Sequence, residues 1–378
     1  MLKLFGEGVG LMVKVVGLDL GTKSFDVFGL ENGKIFLEKS IPTESIMKKP
    51  NILLSLLEKY KPLDLIVAPS GHGLPLTHIN KIGWKELSLI TLIKPQDRKI
   101  PPQLGLRNLL MMLKALDLNV YVIPSIKLLP TIPLHRKINR IDMGTADKLC
   151  TVALALKEQS EKFKIGFNQV SFILAELGFG YNAYIAVENG KVVDGIGGSL
   201  SFGGFLSQGC LDAEAAYLIG GFKKEMVGKG GAAFIAGMKK PNIEEFVKKA
   251  VKVKSFKVAW KFFIENVEKN ISQMLVSVKK PAEIILSGRF SKVDKVYSEL
   301  SRKLSIHAPV TRLKGFTFKV KEASQGAALI ADGLAGGRYR QLVECLQIKK
   351  AKGTVLDYVY IDGWLKIKKM FKVDKFSA

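Results

Sequence analysis

Apolar positions alternate with small or polar ones from Val13 to Leu20, and the alternation ends at Gly21. A period of two predicts a β-strand. Residues 25–30 and 34–37 continue it as two more strands across Glu31, Asn32 and Gly33, because Asn-Gly supplies the positive φ values of a tight hairpin. Helical spacing follows over 46–60. The apolar run 63–68 then stops at Pro69-Ser70-Gly71 and reads as a buried parallel strand. After a proline-rich passage at 95–102, the pattern predicts a helix near 106–116, a strand over 120–123 and a helix from Thr145 to about Lys157. Asp142 and Thr145 are both suited to cap that last helix.

The same grammar then repeats. Residues 170–177 form a strand ending in Gly178-Phe179-Gly180, 182–188 a second, Asn189-Gly190 a turn and 191–194 a third. Two copies of strand, glycine turn, strand, Asn-Gly and strand, roughly 157 residues apart, indicate two related α/β halves. A helical segment over 243–278, a strand over 283–286 ending at Ser287-Gly288, and helices over 292–304 and 323–334 complete the second half. The boundaries this implies are 1–165 for the first domain, 166–338 for the second, and 339–378 for a basic, aromatic tail. A length of 378 residues fits two domains.

Composition excludes several classes. Cys150, Cys210 and Cys345 form no C-x-x-C pair, which disfavours a thiolate metal site and fits a reduced, cytoplasmic setting. The longest apolar stretch, 170–187, contains Glu176 and Asn182 and is unsuited to span a bilayer. The N-terminal apolar residues run straight into the strand pattern, without the cleavage site of a secretory leader. Charge is the unusual quantity: 58 basic against 34 acidic residues give a net +24, a field that attracts nucleic acid, anionic surfaces or acidic small molecules.

Chemistry concentrates at the two glycine turns. Asp19-Leu20-Gly21-Thr22-Lys23-Ser24 sets a carboxylate at a strand end and, beyond it, a turn whose backbone N–H groups can gather on an anion. The Thr22 hydroxyl and Lys23 ammonium are suitable phosphate donors. Glu176-Leu177-Gly178-Phe179-Gly180 follows the same logic, so Gly21, Thr22, Lys23, Gly178 and Gly180 form the candidate phosphate grip.

These turns, with Ile284-Ile285-Leu286-Ser287-Gly288-Arg289, resemble the two phosphate motifs and the adenosine motif of the acetate and sugar kinase, heat-shock chaperone and actin superfamily. Within it, Leu177-Gly178-x-Gly180 followed by Gly190-Lys191-Val192-Val193-Asp194 is similar to the butyrate and acetate kinases. Gly71-His72-Gly73-Leu74-Pro75 and Ser324-Gln325-Gly326-Ala327-Ala328 also resemble butyrate-kinase segments, including those of an archaeal family described as predicted butyrate kinase. Acetate kinases carry a histidine where this chain has Glu176. The resemblance implies an α/β fold of two duplicated ribonuclease-H-like domains with an ATP cleft between them, and ATP-dependent formation of an acyl phosphate from a small carboxylate.

On that basis Mg-ATP is the expected cofactor, with Asp19 and Glu176 as metal carboxylates. Asp142 is the expected base or metal holder and Asp147 its runner-up. Ser287, Gly288 and Arg289 would hold the nucleotide, and His72 and Gly73 the substrate. Arg98, Arg136 and Arg140 are candidates to neutralise an anion, and Gly203-Gly204 could cover a ligand or form a plain turn. A homodimer would follow the acyl-kinase branch. The alternative is an ATP-binding switch acting on RNA or a protein partner, in which Trp364, Phe371 and Phe376 stack bases among Lys366, Lys368, Lys369, Lys372 and Lys375.

Overall fold

The computed structural model describes residues 11–21, 23–49, 51–69, 71–94, 110–115 and 117–373. Two compact units emerge, one drawn from Met1–Thr131, Thr145–Phe167 and Lys314–Ala378, the other from Ile132–Gly144 and Asn168–Leu313. They are not the contiguous blocks 1–165, 166–338 and 339–378 of the sequence pattern. The chain re-enters the first unit at Lys314 because the buried helix Glu322–Leu334 packs there.

The first unit is built on β1 (Lys14–Leu20), β2 (Ser24–Glu31), β3 (Lys34–Pro42), β4 (Leu65–Val67), β5 (Gly73–His78) and β6 (Val120–Pro124), in the order β3-β2-β1-β4-β6-β5. β1 is antiparallel to β2 and parallel to β4. Gly17 explains how the sheet is covered: a Cβ there would stand 2.2 Å from Ser324 O and Ala328 N, so only glycine lets the helix backbone lie on the middle of β1. Gly326 does the same for the helix Ala146–Phe163, since its Cβ would meet Cys150 O at 1.7 Å. These two close approaches fix where the helix Glu322–Leu334 begins.

The second unit contains β7 (Phe172–Leu177), β8 (Asn182–Glu188), β9 (Lys191–Ile196), β10 (Glu283–Ser287) and β11 (Val310–Arg312), in the order β11-β10-β7-β8-β9. Read from β9, the connectivity repeats that of β3-β2-β1-β4. The helix Lys254–Ser277 buries Ala259, Phe263, Val267, Ile271 and Met274, a spacing of three and four that forms one apolar stripe. That stripe shares a core with Ala175, Leu177, Tyr184 and Ala186 of β7 and β8.

Duplication reaches down to backbone detail. Asn32 and Gly33 turn at φ +52° and +77°, Asn189 and Gly190 at +50° and +72°. The register slips between Gly29 and Leu30 in one hairpin and between Ala186 and Val187 in the other. Gly21 N–H donates to Ser24 O at 3.2 Å, and Gly178 N–H to Tyr181 O at 3.1 Å. Each of these pairs is offset by 157 positions, 189 minus 32 being one case.

Several elements depart from the pattern. The helix expected over 46–60 is two helices, Thr43–Lys48 and Asn51–Lys59, with Lys49 at φ −138°. A residue preceding proline is pushed out of the helical region, which accounts for the break. The segment 243–278 divides into Ile243–Lys249 and Lys254–Ser277, with Val253 extended. β5 was not foreseen; it closes one edge of its sheet, where Pro75 is tolerated. The tail folds into the first unit: Phe371 joins its core, and buried Lys368 pairs with Asp357 Oδ1 at 2.6 Å. Among the described residues no helix is long and apolar enough to cross a membrane.

Candidate functional site

In the first unit, Asp19 and Asp26 are cross-strand partners of β1 and β2, 8% and 2% exposed. Like charges directly opposite one another in a buried sheet repel. The repulsion is answered by Lys321, whose ammonium lies 2.8 Å from Asp19 Oδ2 and 3.2 Å from Asp26 Oδ2. It also donates to Ser24 O at 3.0 Å. Burial works against the ammonium, yet the two carboxylates outweigh it and hold its pKa above the ordinary lysine value. Burial lifts the Asp19 pKa despite the pull of Lys321, and the charges of Asp147 and Asp26 add to the rise. Asp147 therefore keeps company with Asp19 in the first unit, and Asp142 belongs to the second.

The first turn is anchored on its outer side as well. Thr43 Oγ1 donates to Gly21 O at 2.8 Å, and Thr43 N–H to Lys23 O at 3.1 Å. Lys23 is exposed, and Thr22 lies outside the described residues. Gly21 does not take the positive φ expected of it, nor does Gly178. Their glycine character comes from crowding: a Cβ on Gly21 would meet Lys321 Nζ at 2.1 Å, and one on Gly178 would meet Tyr181 O at 2.4 Å.

In the second unit, Asp142 is 8% exposed, and its carboxylate is fully employed. Oδ1 accepts from Gly144 N–H at 3.1 Å, and Oδ2 from Ser199 N–H and Ser199 Oγ–H, each at 3.0 Å. A Cβ on Gly197 would fall 1.7 Å from Asp142 Oδ1, so a glycine there makes room for the carboxylate. Gly198 in turn packs on Tyr181 of the second glycine turn. Burial raises the Tyr181 pKa and the nearby charge of Asp142 adds to it; burial lowers that of Lys224, with Asp142 opposing. Asp142, Ser199 and Tyr181 thus form one constellation beside Gly178, with Lys224 within electrostatic reach of Asp142.

Other candidates separate into those at this turn and those elsewhere. Gly288, at φ +79°, lies against Leu177, where a Cβ would stand 2.6 Å from Leu177 O, so Ser287-Gly288 backs onto the second turn. Ser287 is buried, its Oγ lacks a hydrogen-bond partner among the described residues, and Arg289 is exposed. Glu176 is half-buried and faces Ala183 across the hairpin. A Cβ on Gly180 would meet nothing within 4 Å, which leaves that face of the turn open. Gly203-Gly204 belongs to a pinned loop: Asn270 bonds Phe202 N–H and O at 3.0 and 3.1 Å.

Of the arginines expected to neutralise an anion, Arg136 and Arg140 engage a carboxylate of the chain itself, Asp194. Arg140 Nη1 lies 3.3 Å from Asp194 Oδ1, and Arg136 Nη1 donates to Val193 O at 2.8 Å. Arg98 lies outside the described residues. Gly73 is glycine because a Cβ would meet Ser125 N at 2.5 Å, and Gly71 O accepts from Ala146 N–H at 2.9 Å. The backbone around His72 is thereby committed to packing. Trp364 Nε1 donates to Leu356 O, so Trp364, like Phe371, packs toward the core of the first unit; Phe376 and Lys375 lie outside the described residues.

Lys321 was missed by sequence reasoning, although a cue existed. A turn closed by Gly21 and Ser24 places residue 26 opposite residue 19, so a buried Asp pair needing a cation was readable. Lysine at a helix N-cap is also unfavourable toward the helix dipole and asks for a reason. Lys224 and Tyr181 carried no pattern.

Residues 17–361 match a family described as a protein of unknown function, DUF1464. The chain belongs to this family. No curated protein matches. Among solved structures, acetate kinase from Entamoeba histolytica is 16% identical with a TM-score of 0.57, covering 78% of this chain and 86% of its own. A propionate kinase from Francisella tularensis subsp. tularensis SCHU S4 is 15% identical at 0.58, covering 83% and 99%. Porphyromonas gingivalis acetate kinase is 14% identical at 0.57, covering 84% and 98%. This DUF1464 chain therefore shares the two-domain α/β fold of acetate and propionate kinases.

A resident magnesium ion on Asp19 does not fit the residues present. Magnesium requires oxygen ligands near 2.1 Å, and the place beside Asp19 Oδ2 and Asp26 Oδ2 holds the Lys321 ammonium. Among the described residues no group of three or more His, Cys, Asp or Glu is disposed to hold a metal.

Proposed function

We propose that this protein is an ATP-dependent phosphotransferase that transfers the γ-phosphoryl group to a small carboxylate, giving an acyl phosphate. The supporting observation is the matched pair of glycine hairpins, each closing a central strand behind a carboxylate, in a fold shared with two proteins whose names specify carboxylate acceptors. A carboxylate acceptor is already ionised at neutral pH, so its oxygen attacks phosphorus without surrendering a proton. As the acceptor oxygen bonds to phosphorus, the bond to the β-phosphate oxygen breaks and ADP carries away the electron pair. Catalysis then consists of positioning and charge stabilisation.

In this reading Asp142 is a positioning residue. It holds Gly197-Gly198-Ser199 against Tyr181, while Lys224 offers positive charge to phosphoryl oxygens near Gly178 and Gly180. Magnesium enters as part of the Mg-ATP substrate. ADP release across a panel of short acids, with hydroxylamine trapping of acyl phosphate, is the test. Trapped hydroxamate with one or a few acids is expected; a flat panel with intact ATP binding removes the reading.

The net charge of +24 favours a second reading, an ATP-binding switch on RNA or a protein. Inward packing of Trp364 and Phe371 leaves it with lysines and without these stacking faces. An RNA partner would show tRNA affinity falling steeply with salt, and no such binding would sink that version.

A further inference from the structure

We propose that Lys321 is the built-in cation of the first glycine turn, standing where a carboxylate-held divalent ion would otherwise sit. Asp19 and Asp26 then serve to position this ammonium rather than to ligate metal. Four observations carry the proposal. Two carboxylates face each other across β1 and β2 in a buried register. One ammonium lies within salt-bridge distance of both, at 2.8 and 3.2 Å. It also donates a hydrogen bond to Ser24 O in the turn itself at 3.0 Å, so the ammonium is tied to the turn as well as to both carboxylates. Finally, the ammonium lies directly against Gly21, which has no side chain to displace it.

The supply of this cation is built into the packing. Gly17 lets the helix Glu322–Leu334 lie on β1, and Lys321, the residue before that helix, is carried to the strand end. Ser324 Oγ donates to Lys321 O at 2.8 Å and secures the entry. A permanent ammonium cannot be chelated away, exchanged or left unloaded. The turn therefore keeps its shape and its ammonium whether or not a divalent ion is present.

The inference concerns the site of the proposed kinase, but its test uses no nucleotide, so either can fail alone. The probe is Mn²⁺, which suits carboxylate ligands, and the readout is thermal unfolding of the full chain with and without it, alongside Mn²⁺ binding by electron paramagnetic resonance. The wild-type chain and Asp19→Asn should respond to Mn²⁺ equally. Lys321→Met exposes the two carboxylates to a single point and should gain a Mn²⁺-dependent rise in Tm and a bound-Mn²⁺ signal. The double variant Asp19→Asn with Lys321→Met should lose both gains. Lys321→Arg, which keeps the charge, should gain neither.

A wild-type Mn²⁺ site that Asp19→Asn abolishes would overturn the proposal. So would a folded Lys321→Met with no gain. If Lys321→Met fails to fold without metal, folding restored by Mn²⁺ supports the proposal, and otherwise the wild-type and Asp19→Asn comparison decides it.

Discussion

The two glycine turns share a backbone and differ in what stands behind it. Both close with the same hydrogen bond, 3.2 Å from Gly21 to Ser24 and 3.1 Å from Gly178 to Tyr181. Behind the first turn lies a charged cluster, Asp19, Asp26 and Lys321. Behind the second, Glu176 faces Ala183, the position equivalent to Asp26, and no acidic pair arises. Support there comes from close packing of Gly198 on Tyr181, with Asp142 bracing the loop that carries Gly198. Duplication preserved the hairpin while electrostatics took over one copy and packing the other. The first turn should therefore respond to charge changes, and the second to changes in volume and bracing.

The largest effect is expected from Asp142→Ala. It removes the acceptor of three hydrogen bonds to Gly144 and Ser199 and leaves one donor buried and two half-buried. Stability should fall by about 1–3 kcal/mol, the usual result of orphaning buried polar groups. Phosphoryl transfer should fall at least ~100-fold as the loop shifts. Denaturant unfolding and ADP-release kinetics measure the two, and unchanged turnover would detach the braced loop from the chemistry.

Next comes Gly178→Val against Gly190→Val. A side chain at 178 collides with Tyr181 O, 2.4 Å from the Cβ position, and distorts the turn proposed to meet phosphate. ATP affinity should weaken by more than the tenfold worth about 1.4 kcal/mol. At 190, φ is +72°, so valine costs roughly 1–2 kcal/mol of stability and leaves affinity unchanged. Calorimetric titration of both variants at matched fold content decides the point. Equal affinities would mean that the second turn does not hold phosphate.

A milder pair sharpens the contrast directly. Gly21→Ala meets the end of a lysine side chain at 2.1 Å and the Ser24 carbonyl only at 2.9 Å, whereas Gly178→Ala meets the Tyr181 backbone carbonyl at 2.4 Å, a deeper clash with an atom that cannot swing aside. Alanine should thus lower Tm more at 178 than at 21. A larger loss at 21 would show the ammonium to be more rigidly held than a flexible side chain.

The sequence made the shared part legible and the differing part only in fragments. Strand, turn and Asn-Gly spacing depend on local periodicity and φ requirements, which is why both hairpins could be read with their 157-residue offset. The domain boundaries could not, because re-entry of the chain at Lys314 is decided by the approach of one helix to Gly17, a contact more than 300 positions apart in sequence. Lys321 escaped for the same reason. Asp142 stood out from its place before a helix, but its partners in the 197–199 loop did not. For Arg136 and Arg140, sequence proximity to a site says nothing of Asp194, the carboxylate that engages them.

The smallest expected effect is one of pH. Burial, reinforced by Asp147 and Asp26, lifts the Asp19 pKa in the folded chain above its ordinary value, against the pull of Lys321. A carboxyl whose folded pKa is raised contributes stability that is fully present below about pH 4, near the unfolded value, and is lost as pH rises through the folded value. Asp19→Asn removes that titration while Asp26 continues to hold Lys321 at 3.2 Å. The Tm of the variant minus that of the wild type should therefore increase from pH 4 to pH 7. Gly178→Ala, which removes no titrating group from the second turn, serves as the control, and its difference should stay flat over the same range. Thermal melts at half-unit intervals measure both. If Asp19→Asn also gives a flat difference, or one falling with pH, the carboxylate is held by Lys321 more strongly than it is penalised by burial. The two turns would then differ in geometry but not in their response to charge.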